Sequence, residues 1–147
     1  MSHFCSAHRT PPVGVDPVDD AEVAMAVVEL AMTHPLVAET IVLVLDAERR
    51  GRTVVVVDGT DDPDAIVEVV ERLAEASAVS GEPGTLVVAS VRPDDDGRPL
   101  PDDADRWLEA SDVADEVGVE LVEWFVVGPM RTWCPRDLIA EPPRWGR

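Results

Sequence analysis

The sequence predicts an α/β domain built on a mixed β-sheet flanked by helices. Three observations carry that prediction. Segments with helical periodicity alternate with short apolar runs, the pattern of a sheet with helices on its faces. The runs Thr40–Asp46 (TIVLVLD) and Thr53–Val57 (TVVVV) are apolar almost without interruption, so both faces of these strands are expected to be covered. The two runs are joined by a short turn at Glu48-Arg49-Arg50-Gly51. A hairpin is antiparallel, so the sheet is expected to be mixed.

Each element follows from local chemistry. Residues 1–17 contain prolines and no periodicity, and are expected to form a flexible N-terminal arm. Residues 18–138 are expected to be the folded domain, and 139–147 an irregular tail. Asp19 or Asp20 offers an N-cap to a first helix that runs to about Thr33. Val23, Val27, Leu30 and Ala31 share one face of it at helical spacing. His34-Pro35 ends it, because a residue before proline avoids the helical region.

Asp58-Gly59-Thr60 leads out of the hairpin. Asp62 is expected to cap the second helix, with Pro63 at its first position, where a missing N–H costs nothing. Ile66, Val70, Leu73 and Ser77 make its inner stripe, with Val67 and Ala74 beside it. The segment Gly81–Gly84 breaks it. Thr85–Val91 is expected as the third strand, and residues 92–102 as a polar loop. A third helix spans about Asp102 to Val117, with Gly118 as its C′ residue. Val119–Val127 is the fourth strand. Gly128-Pro129 turns the chain, and Met130–Cys134 offers a short fifth. Ile41–Leu45 and Leu86–Val88 are expected at the centre of the sheet.

The chain has 147 residues, with 30 acids against 12 bases and a net charge of −18. All the bases are Arg. Such a surface repels phosphate backbones and anionic lipid, so neither nucleic acid nor membrane is expected as a partner. Lys-free, Asp- and Val-rich composition points to a GC-rich genome or a salt-adapted host. No apolar run approaches the roughly 20 residues of a membrane span, and residues 1–20 lack the pattern of a secretory signal. Cys5 and Cys134 do not make a disulfide framework. The expected compartment is the cytoplasm.

A more specific order of features begins at residue 85. Thr85–Pro93 (TLVVASVRP) looks like the strand that ends in HNHP in bacterial RadC-type JAB/MPN domains. In that family a segment S-G-x-P-x-P-S-x-x-D follows. Here Pro93, Pro99 and Asp103 fall without a gap on the family's two prolines and its metal-ligating Asp, and Pro101 fits a further proline. Gly118–Gly128 (GVELVEWFVVG) is similar to LGI-x-LLDHIIVG, with Trp124 at its histidine. Glu39–Asp46 resembles the strand that carries the catalytic Glu, and Gly59-Thr60 a Gly-Thr before a helix. The resemblance covers about residues 20–138. It implies a JAB/MPN, cytidine-deaminase-like architecture.

The resemblance also implies a zinc site, and this chain departs from it. Two imidazoles and a carboxylate would hold the metal, a Glu would take a proton from its water, and a Ser would help hold the oxyanion. The histidine positions are Ser90 and Arg92, and the Ser position is Leu100. Only Asp103 and the general-base position, Glu39, keep their type. A guanidinium has no lone pair to offer a metal. The site is therefore expected to be vestigial, with no catalytic residue, no metal and no cofactor. Arg92 projects where the metal would sit. It is expected either to pair with Asp103, and with Glu39 if that residue reaches it, or to point into solvent.

Other ligand-type residues are weaker signals. His3, Cys5 and His8, with Cys134, fit no common zinc knuckle and read as incidental. Asp94-Asp95-Asp96 with Asp102, Asp103 and Asp105 would suit a hard cation, or be a solvated face, and the second is favoured. Trp107 and Trp124 are expected in the core or at the rim of the old cleft. Trp133 and Trp145 are expected either in the core or on a partner surface. No P-loop, GxGxxG or GxSxG is present.

Two functions follow. The first is a non-catalytic domain with a protein-interaction or scaffold role, in an unknown oligomeric state. The alternative is a hydrolase with a rebuilt site, zinc-independent or using another metal, that employs Glu39, Arg92 and Asp103.

Overall fold

The computed structural model describes residues 4–8, 17–81, 84–94 and 98–146. Its elements are β1 (Phe4–His8), α1 (Ala21–Ala31), β2 (Glu39–Leu45), β3 (Gly51–Asp58), α2 (Ala65–Val79), β4 (Thr85–Val91), α3 (Asp103–Asp115), β5 (Glu120–Val127) and β6 (Thr132–Trp133), then a 3-10 turn at Pro135–Ile139. The sheet order is β1-β3-β2-β4-β5-β6. Only β4 and β5 run parallel; the other neighbours are antiparallel. The mixed sheet and the central places of β2 and β4 are as expected.

Strand alternation divides the apolar residues between two faces. Val42, Val55, Val57, Leu86, Val88, Trp124 and Val126 face α2 and α3. Ile41, Leu43, Val54, Val56, Val87, Ala89 and Phe125 face α1. This explains the unbroken apolar runs: each residue meets a core on one side or the other. A register shift between Leu86 and Val87 opposite β5 gives that strand one extra residue, and Val122 and Glu123 both lie toward the α1 side.

Gly84 joins Gly81 and β4 where the backbones crowd. A Cβ at Gly84 would lie 2.0 Å from the carbonyl oxygen of Leu45. Gly118 has a φ of +79°, the left-handed conformation expected after α3. The β2–β3 turn uses Arg49 at a φ of +65°, a conformation that a residue with a side chain adopts at some cost.

The structure differs from expectation at four points. Residues 4–8, placed in a loose arm, pair with β3. The α1 helix ends at Ala31, with Met32 as its cap, before the His34-Pro35 signal. Its buried residues are Ala24 and Val28, while Val23 and Leu30 are 40% and 84% exposed. The helix is apolar around much of its circumference, so periodicity alone did not choose the face. Regular α2 begins at Ala65, although Asp62 does cap the turn before it, accepting the Asp64 N–H at 2.9 Å. Among the described residues no helix is long and apolar enough to cross a membrane.

Candidate functional site

A cleft of about 850 Å³ opens at the end of the sheet where β4 finishes and α2 begins. The hydroxyls of Thr40, Thr60 and Ser90, the guanidinium of Arg92 and the side chain of Leu100 line it. Alternation sends Val91 to the α1 face and Ser90 to the other. Thr40 is the cross-strand partner of Ser90, and its hydroxyl lies 2.9 Å from that of Thr60. Trp124, fully buried, donates its indole N–H to Ser90 Oγ at 2.9 Å. The Arg92 N–H reaches Val127 O at 2.8 Å, which extends the β4–β5 ladder and fixes the root of the Arg92 side chain.

The ion pair expected between Arg92 and Asp103 is present. Two parallel bonds join them, Nη1 to Oδ2 at 2.9 Å and Nη2 to Oδ1 at 2.8 Å. The Asp103 carboxylate is fully buried at the start of α3. It also accepts the Leu100 N–H at 2.8 Å and Arg106 Nη1 at 2.9 Å. Arg106 in turn reaches Asp64 at 2.8 Å, tying α3 to the entry of α2. Burial alone would raise the Asp103 pKa. The hydrogen bonds from Arg92 and Leu100, the Arg92 charge and the Arg106 bond outweigh it and hold the carboxyl below its usual range. Arg92 also lies 6.0 Å from the centre of the Trp124 ring.

Glu39 does not join this group. It begins β2 on the same face as Ile41, toward α1, and is fully buried. Its carboxylate accepts the backbone N–H and the hydroxyl of Thr33, at 2.8 and 2.9 Å. The strand period of two places Thr40, not Glu39, over the cleft. The rebuilt constellation of Glu39, Arg92 and Asp103 is therefore not brought together. Leu100, expected where the resemblance would place a Ser, contributes its backbone N–H to Asp103.

The donor set does not suit zinc. Arg92 brings a cation where a neutral ligand is needed, and Asp103 already accepts four N–H bonds, which occupies the acceptor capacity of both oxygens. Among the described residues no three His, Cys, Asp or Glu side chains gather as a metal site. The side chains of His3, Cys5 and His8 lie outside the described residues, as do Asp95 and Asp96. Cys134 is buried. Burial, with the nearby Glu123 carboxylate, pushes its thiol up to about 12.

Sequence reading missed a second polar network, which fastens the C-terminal tail. Arg144 is buried, donates to Leu121 O at 2.8 Å and Ser111 Oγ at 3.1 Å, and lies 4.2 Å from the Trp107 ring centre. Glu141 accepts from Arg144 at 2.9 Å and from the Trp107 indole at 3.1 Å. Glu123, fully buried, accepts from Arg136 at 3.0 Å and from the Trp145 indole at 3.2 Å. Arg49 donates to the carbonyls of Arg144 and Trp145, which compensates its strained backbone. Trp145 therefore packs on the α1-side core and Trp133 partly on the other. Both had been left open between core and partner surface. The partners are up to 96 residues apart, and no local spacing marks them.

No protein-family model and no curated protein matches the chain.

Proposed function

We propose that the chain is a non-catalytic interaction domain on a RadC-like JAB/MPN scaffold, in which an arginine replaces the metal. One observation supports this reading above the others. Asp103, where the resemblance places a metal ligand, is held by four N–H donors and neutralised by Arg92 and Arg106. A guanidinium beside a carboxylate that would otherwise face a cation supplies charge and fixed donors without Lewis acidity. On this reading the cleft beside Arg92 remains open, and the domain works by binding a protein partner.

The test restores the missing ligands. Ser90 and Arg92 line the same cleft, and Arg92 touches Asp103, so Ser90→His with Arg92→His would bring two imidazoles toward one carboxylate. Zinc titration of the folded double variant should show binding that the wild-type protein lacks, and that disappears when Asp103→Ala is added. A wild-type protein that retains stoichiometric zinc through dialysis would overturn the non-catalytic reading. A folded double variant that ignores zinc would overturn the JAB-type origin of the loop.

A further inference from the structure

The α1 helix carries an apolar stripe that the fold does not use. Val23 and Leu30 lie seven residues apart on one line of the helix and are 40% and 84% exposed, whereas Val27 is partly buried against the core. Ala26 is exposed beside them. The core takes the neighbouring face, through Ala24 and Val28. Helical spacing puts Glu22 and Glu29, also seven apart, along the outer edge of the stripe. In heptad terms the sequence runs Glu at g, Val at a, Ala at d, Glu at g and Leu at a, the pattern of one side of a paired-helix seam.

From this arrangement we infer that the outer face of α1 docks a basic amphipathic helix from a partner protein. The apolar stripe would take the partner's a and d side chains, and Glu22 and Glu29 would meet Lys or Arg at its flanking positions. A second copy of this chain fits less well. Its own α1 would bring Glu22 and Glu29 against the same acids, no Lys or Arg occurs from Pro17 to Glu48, and the whole chain carries −18. Like charges at such flanks oppose pairing. The inference deepens the interaction reading by naming the partner's chemistry. It uses a different sheet face from the Arg92 cleft, so the zinc experiment and the one below fail independently.

The probe is a two-heptad peptide amide with Leu at a and d and Lys at e and g, beside a scrambled peptide of equal composition. Fluorescence anisotropy at moderate salt should show the patterned peptide binding at least about tenfold more tightly than the scramble. Val23→Ser with Leu30→Ser should abolish that difference while the melting temperature stays within a few degrees, because both residues face outward. Equal binding of the two peptides would mean general attraction to an acidic surface, and would overturn the proposal. So would a double-Ser variant that still discriminates between them. Concentration-dependent dimerisation of the wild-type chain, lost in the double-Ser variant, would assign the stripe to a second copy and overturn it as well.

Discussion

Arg92, just past the end of β4, and Asp103, the first residue of α3, are joined by two parallel hydrogen bonds of 2.9 and 2.8 Å across a loop of ten residues. The Arg92 side chain is 12% exposed and that of Asp103 fully buried, so the pair is mostly shielded from water. Arg92→Ala should destabilise the fold by about 1–3 kcal/mol, since it leaves a buried carboxylate with fewer partners. Arg106 and Leu100 still bond to Asp103, which keeps the loss below that of an unpaired buried charge. Urea denaturation measures it. A loss under 0.5 kcal/mol, on the order of an exposed pair, would show that Arg92 does not hold the loop.

The same pair sets a pH dependence. The Asp103 pKa is lowered in the folded protein. A carboxyl whose folded value lies below its unfolded value, near 3.9, stabilises above that unfolded value, and the stabilisation is lost as the pH falls through the folded one. Without Arg92 the lowering shrinks, because burial is then less opposed. Acid unfolding followed by circular dichroism should therefore have its midpoint at higher pH in Arg92→Ala than in the wild-type protein. Comparing the two proteins cancels the contribution of the other acids. Coincident midpoints would remove Asp103 from the account of acid stability.

Gly84 and Gly81 stand three residues apart but should respond in opposite degrees to alanine. A Cβ at Gly84 meets Leu45 O at 2.0 Å, whereas at Gly81 nothing lies within 4 Å. Gly81→Ala should cost roughly 1 kcal/mol for its left-handed φ. Gly84→Ala must push β4 away from β2 and should cost at least about 3 kcal/mol. Similar melting temperatures for the two variants would contradict the close approach at Gly84.

The strands were legible because a sheet covered on both faces leaves a simple trace, unbroken Val, Ile and Leu. The Arg92–Asp103 contact was expected only through the resemblance that Pro93, Pro99 and Asp103 bear to a JAB/MPN metal-site loop, which places both residues at one site. Glu39 was misplaced relative to the cleft by a single residue, since one step along a strand reverses the face and a strand that is apolar on both faces gives no phase. The α1 face was half legible for a related reason: of Val23, Val27, Leu30 and Ala31, only Val27 and Ala31 pack on the core, while the face centres on Ala24 and Val28 and leaves Val23 and Leu30 outside. β1 was missed because FCSAH is short and mixed. The tail network depends on Arg–Trp and Arg–Glu pairs brought together by the finished fold, which periodicity does not report.

The tail network gives the last prediction. β6 pairs with β5 only at Val126 and Val127, so the outer edge of β5 needs other cover. Arg144 supplies some of it, donating to Leu121 O at 2.8 Å while its guanidinium lies 4.2 Å from the Trp107 ring centre. An uncovered carbonyl on a buried edge is costly, and a desolvated cation over a Trp ring is favourable. Arg144→Ala should therefore destabilise the protein by about 2–4 kcal/mol. Arg144→Lys should recover less than half, because an ammonium does not span Leu121, Ser111 and Glu141 as the planar fork does. Hydrogen exchange should accelerate in α3 and in residues 120–127 of the Ala variant, more than in α1. If exchange rises uniformly, the tail acts only through global stability; if neither stability nor exchange changes, the clasp contributes nothing to holding the β5 edge.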